Sequence, residues 1–334
     1  MPPLPPPGHL PRSGNRHIRT LFSLGLSLLA GVAPALDLQW AAVSDPGNPP
    51  DRTGYGGVAY AFEITKTEIT LGQYAEFLNA VAASDPHGLW SPALKNAPTA
   101  SMKRERVLID RQGEPGAYHY VVTPEFSSQP ASEISFFDAM RFANWLHNGM
   151  GSGDTESGAY GVAGAKGLAV HQPGARVWIP TEDEWYKAAY YQPEPKGGPP
   201  GGYWRYPTRS NEPPAAKEAG APDQNAASFG RDHREKDYSS YNFIPVGSLP
   251  NAGSYYGTFD QGGNVWEWNE AIVFNSQRGM RGGSTPHTVQ KLRADVRSSA
   301  RPERKYPDTG FRLARPIQEP VPGTAAPTPA SKPQ

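Results

Sequence analysis

The chain has 334 residues, with 32 basic and 32 acidic side chains and no cysteine. Balanced charge argues against a nucleic-acid binder, which needs a basic face. The lack of cysteine removes disulfides, thiolate metal sites and cysteine nucleophiles. Glycine and proline (36 and 37 residues) exceed a fifth of the chain, so long irregular connections are expected, while eight tryptophans and sixteen tyrosines supply material for a core.

Met1 to Gly14 is proline-rich, and Arg16, His17 and Arg19 then precede the apolar stretch 21–35. That stretch is shorter than the ~20 residues a membrane-spanning helix needs. It ends in Ala33-Pro34-Ala35, small residues where a signal peptidase reads. The expectation is a signal peptide with a Pro-rich leader over 1–35, cleavage near Ala35, and an exported (periplasmic or extracellular) product that is mildly acidic. A buried N-terminal helix is the alternative. Residues 316–334, rich in Pro, Ala and Thr, read as a flexible tail. With no second hydrophobic segment, no membrane anchor is expected.

Three helices announce themselves between these ends, each through a capping box. Thr70 and Gln73 lead into Tyr74, Phe77, Leu78 and Val81. Ser135 and Asp138 lead into Ala139, Phe142, Trp145 and Leu146, and Thr181 and Glu184 lead into Trp185, Ala188 and Ala189. In each the hydroxyl accepts an orphan backbone N–H, and the residue three positions on can return the bond. Short strands are expected at 58–64, 118–122 and 176–179. The long Gly/Pro-rich connections, above all 192–222, are of a length that tends to carry function. No repeat of 20–50 residues is visible, so one irregular α+β domain over 36–315 fits better than two regular ones.

Six blocks resemble the formylglycine-generating enzyme family, also called the sulfatase-modifying factor domain: FEITKTEITLGQYAEFLNAVA (62–82), SFFDAMRFANWL (135–146), VWIPTEDEWYKAAYY (177–191), GGNVWEW (262–268), RGGS (281–284) and RSSARPERKYPDTGFRLAR (297–315). The resemblance implies a C-type-lectin-like fold with little regular secondary structure. In well-known members two cysteines just after RGGS bind copper and oxidise a sulfatase cysteine. Here His287 and roughly Leu292 stand near those places. Neither can do thiolate chemistry, so copper and formylglycine generation are not expected. A branch similar to ergothioneine synthases uses non-haem iron, held largely by histidines of a preceding helical bundle. Only 35 residues precede this domain, and the eight histidines form no helical i, i+3 or i, i+4 ligand pair, so iron held by this chain alone is not the favoured expectation.

The resemblance also implies structural calcium, on the carboxylates of Asp260 and Glu267 with the carbonyls of Gly263 and Val265. Two carboxylates plus backbone oxygens in a glycine-loosened loop suit that ion. The competing reading is a tight turn in which Glu267 pairs with an arginine. A second, weaker site would use Asn225, the Ala226 carbonyl and Asp237. The family's substrate groove lies near RGGS, which makes His287, Arg293 and Arg297 candidates for an acidic or peptide ligand. Arg281, Arg301 and Arg312 read instead as internal braces. Ser284 and His287 are the candidate catalytic residues, although Ser284 also reads as a turn residue, since no G-x-S-x-G elbow backs a hydrolase. Trp90 and Trp204, in loops, are candidates for stacking on a sugar or peptide. The glycine-rich stretch 158–167 lacks a P-loop ending.

Two functions follow from these residues. One is a calcium-stabilised module binding a peptide, glycan or protein. The other is a non-haem metal-dependent oxidoreductase, with His287, His233 and His119 as its single-chain ligands or with a partner subunit supplying the metal site.

Overall fold

A computed structural model describes residues 1–3, 36–95, 106–165, 167–230 and 243–318. The expected signal segment with its Ala35 cleavage site, His233, Asp237 and the tail from 319 onward lie outside the described residues. The chain divides into Met1–Ala35 and Leu36–Gln334, and everything below concerns the second unit. Among the described residues no helix is long and apolar enough to cross a membrane.

In chain order the elements are β1 (Trp40–Val43), β2 (Phe62–Thr65), α1 (Leu71–Val81), β3 (Ile109–Gln112), β4 (His119–Val122), α2 (Phe136–His147) and α3 (Glu182–Tyr190). There follow β5 (Ala215–Ala216), β6 (Ala226–Ala227), β7 (Trp266–Val273), β8 (Gln277–Arg281), β9 (Ser298–Ala300), β10 (Thr309–Gly310) and β11 (Ala314–Pro316). This is an irregular α+β domain: among the described residues it has three α-helices, small sheets and long connections. Strand pairing at Pro316 carries the domain one residue past its expected end.

All three capping boxes form, with Thr70, Ser135 and Thr181 each accepting a backbone N–H and Gln73, Asp138 and Glu184 returning the bond. Helices α1 and α2 bring Phe77 and Phe142 within 5.3 Å, and Phe142 within 5.4 Å of Phe311. Edge-to-face rings at such spacing favour one packing over others.

One sheet has the order β1-β2-β11, joining chain segments some 250 residues apart through Ile64 opposite Ala314. The second, β10-β7-β8-β9, carries the chemistry-bearing residues. The expected strand over 58–64 is realised only as Phe62–Thr65, because residues before it are drawn into a turn where Gly47 N–H donates to the Val58 carbonyl. The stretch 176–179 contributes an isolated bridge from Trp178 to Ala314 rather than a strand.

Candidate functional site

Strand β8 ends at Arg281, and the chain reverses through Gly282 and Gly283 at φ +98° and +75°, conformations that favour glycine. The reversal places Ser284 inside the protein, fully buried. Its Oγ donates to Asp308 Oδ2 at 2.6 Å and lies 2.6 Å from His287 Nδ1. A hydroxyl has one proton. Since Ser284 gives it to Asp308, the contact with His287 is one in which Nδ1–H donates to Ser284 Oγ. The ring also meets Trp266 edge-on at 5.5 Å. Ser284 is thus a buried link between Asp308 and His287, not an accessible nucleophile.

The loop continues through a short 3-10 turn, Val289–Leu292, to Arg293. Here two predicted residues meet: Trp204 and Arg293 line one cleft of about 600 Å³, with Asp51, Tyr203, Arg205, Glu212 and Asp295. Opposite walls are tied by the Ala294 N–H donating to the Arg205 carbonyl at 3.0 Å. Trp204 is half-buried, its indole N–H held by Gln192 Oε1 at 3.0 Å. Arg293 forks onto Asp295, with Nε 2.9 Å from Oδ1. Three arginines (52, 205, 293) and three acids (51, 212, 295) share the lining.

Arg297 is turned away from such a role. It forks onto Glu182, which is buried and also holds Arg281 at 2.8 Å, and both guanidiniums lie over the Tyr55 ring. Arg281 and Arg312 are the internal braces expected, whereas Arg301 is exposed. The brace the sequence reading missed is Arg278, buried and donating to the carbonyls of Gly167, Ala169 and Glu270. Burial pushes its pKa down to about 10. Trp90 is also far from its expected role: only 8% exposed, it gives its indole N–H to the Ile109 carbonyl, under Arg111.

The calcium shell implied by the resemblance does not fit these side chains as expected. Glu267 is fully buried and bonded by both oxygens to Arg312, with Trp185 Nε1 adding a third bond at 2.7 Å. Three of its roughly four acceptor positions are thus taken and its charge is already balanced by a guanidinium. The arginine-paired reading of Glu267 is the one this geometry matches. Gly263, at φ +97°, sits where a Cβ would lie 2.3 Å from the Ser228 carbonyl, so this turn and the approach to Val265 demand glycine without any ion. Asp260 differs. Among the described residues its one hydrogen bond is from the Gly247 N–H, at 2.6 Å, and burial pushes its pKa up to about 6.

Asn225 is engaged through its amide with Thr208, Ser210, Glu212 and Pro213. Asp260 and Ala226, which the resemblance assigns to two different ions, line one cavity of about 10 Å³, room for roughly one water. Among the described residues no three His, Asp or Glu side chains converge as a metal-holding group. His119 is exposed on β4, and among the described residues it belongs to no metal-holding group.

A further polar cluster had no signal in the motifs. Glu270, buried on β7, accepts from the Tyr160 hydroxyl, the His171 N–H and His171 Nδ1 at 2.5, 2.9 and 2.9 Å. His171 stacks on Trp178 at 4.7 Å. Trp178 and the half-exposed Tyr60 in turn donate to Glu184, whose pKa burial raises. Asp308, by contrast, had a signal, because it falls inside the block that carries Phe311 and Arg312.

The sulfatase-modifying factor enzyme 1-like domain matches residues 56–317. The chain belongs to this family. Hercynine oxygenase of Mycolicibacterium smegmatis is 24% identical over 282 residues, which cover 76% of this chain and 53% of the relative, so the chain spans about half that protein's length. Among solved structures, CarF shares the fold at a TM-score of 0.54 and 19% identity, over 85% of this chain and all of CarF. PvdO from Pseudomonas aeruginosa is similar at a TM-score of 0.44 and 18% identity, over 84% of this chain and 93% of PvdO. With no cysteine, this family member has no thiolates of its own for the copper route.

Proposed function

We propose that this is an exported binding member of the family, which takes a peptide or amino-acid derivative in the cleft between Trp204 and Arg293. The observation that carries the reading is the lining of that cleft, where an indole face stands among three guanidiniums and three carboxylates. Its volume of about 600 Å³ is in the range of small-ligand sites. Arginine forks suit a carboxylate and the acids suit an ammonium, while Trp204 offers an apolar face to the body of the ligand. Export is supported by the basic patch, the apolar stretch and the Ala33-Pro34-Ala35 ending.

A second reading, a metal-dependent oxidoreductase, draws on the likeness to hercynine oxygenase and on His287. The relay from Asp308 through Ser284 fixes the His287 tautomer, as partners of metal-bound histidines do. Further ligands would then come from a partner subunit.

The test is a thermal-shift screen of peptides and amino-acid derivatives, followed by calorimetry on any hit. Arg293→Ala should weaken binding by about 10-fold or more, the scale of a lost charge-assisted hydrogen bond. Trp204→Ala should weaken it as well, and His287→Ala should leave it intact. Iron or copper retained through purification and lost in His287→Ala would instead establish the second reading.

A further inference from the structure

A groove of about 780 Å³ opens at the outer face of the sheet β1-β2-β11, and it shares no lining residue with the cleft around Trp204. The register of the sheet makes that face. Phe62 and Ile64 point into the core, so Glu63 between them faces out, together with its partners Ala42 and Arg315. Trp40, two residues before Ala42, falls on the same face and lies under the Arg315 guanidinium at 4.1 Å. Leu36 and Leu38 lead into it, and Leu146 and Met150, at and just past the end of α2, complete the apolar lining.

The charges on this lining are of one sign: Arg176 and Arg315 belong to it, and no acid does. Arg315 is engaged by Glu63, its Nε 2.6 Å from Oε2. Arg176 is exposed, its backbone N–H donates to His147 Nδ1 at 3.1 Å, and among the described residues no acid pairs with its guanidinium. Met150 adds a second observation. It stands at φ +63°, where glycine or asparagine would sit at less cost, yet the chain places an exposed apolar side chain there, on the groove. An unbranched thioether adapts to the shape of an apolar ligand.

We propose that this groove binds a free fatty acid, its alkyl chain against Trp40, Leu38 and Met150 and its carboxylate on the Arg176 guanidinium. An apolar chain with one anionic head complements an apolar recess with one unpaired cation, and a guanidinium fork matches a carboxylate bidentately. A neutral peptide would leave Arg176 without its anion. A membrane surface would call for protruding apolar side chains, whereas Leu36, Leu38, Trp40 and Leu146 are half-buried in the recess.

The full chain is titrated with cis-parinaric acid, whose emission rises in an apolar site, and then with laurate below its micelle concentration. Expected is one parinarate per chain, displaced by laurate but not by dodecyltrimethylammonium, which has a chain of the same length and a cationic head. Arg176→Glu should weaken both acids by about 10-fold or more, the scale of a lost charge-assisted hydrogen bond. Met150→Asn should weaken them about 5-fold through lost apolar contact. Its melting temperature should hold or rise, because asparagine tolerates the left-handed backbone, so weaker binding there is not a sign of unfolding. No uptake, or uptake unchanged in Arg176→Glu, would overturn the site. So would any of three other occupants: phosphatidylglycerol vesicles that capture the chain when laurate does not bind, a dimer in sedimentation that Met150→Asn splits, or residues 319–334, if uptake appears only once the chain is shortened after Gln318.

Discussion

The imidazole of His171 lies flat against Trp178 and gives its Nδ1 proton to Glu270, which couples its charge to folding. Burial opposes the charged form, but the hydrogen bond and charge of Glu270, with Glu184 behind, outweigh it and raise the pKa. The unfolded value is about 6.5. A raised folded-state pKa means that the stabilisation is complete below the unfolded value and is lost as pH rises through the folded one. The free energy of unfolding in urea should therefore fall between pH 6 and 8, and His171→Gln should flatten that slope. Above pH 8 the window is confounded by Lys187, buried and pushed down to about 8, whose titration has the opposite sign. This pair was illegible in the sequence because its members are 99 residues apart and nothing local announces them. Trp90 shows the same limit: loop sequence around it gave no sign that the loop folds back over β3.

What was legible at the level of elements was local. A capping box and an i, i+3, i+4, i+7 apolar stripe are complete within a dozen residues, and all three helices start where the boxes place them. Strand β7 was missed for a physical reason. Its WEWNEAIV segment is buried on both faces through its first five residues, and its pairing with β8 is broken between Asn269 and Ile272, so no alternation survives to be read. The cleft was half legible. Trp204 and Arg293 could be chosen by residue type, but the walls come from segments around 51, 204, 212 and 293 that only the fold brings together. Of the three boxes, Ser135 is the one to test. Its hydroxyl accepts the Asp138 N–H and donates to the Asp138 carboxylate at 2.7 Å, all within the core. Ser135→Ala should cost about 1–2 kcal/mol, the range for a lost N-cap, read from the shift in denaturation midpoint at unchanged slope. A shift in slope as well would mean that α2 had frayed rather than merely lost its cap.

Across the whole molecule, stability without disulfides rests on a few buried polar knots that hold distant segments together. Arg312 is the most connected. Its guanidinium donates to the carbonyls of Thr65 and Lys66 at the end of β2, to that of Phe259 at 2.8 Å, and to Glu267 on β7. One side chain thus fastens the sheet β1-β2-β11 to the sheet β10-β7-β8-β9 through strand ends some 200 residues apart. Both members of the pair are fully buried, so their worth depends on remaining together. Removing one partner leaves a bare charge and typically costs about 3–5 kcal/mol, whereas removing both can be nearly neutral. Arg312→Met should accordingly lower the unfolding free energy by at least that amount, because Thr65, Lys66 and Phe259 also lose their donor. Adding Glu267→Gln to it should recover part of the loss. Urea denaturation of the two single variants and the double closes the cycle. If the double were as unstable as the sum of the singles, the pair would be uncoupled, and the knot would act through its carbonyl bonds alone.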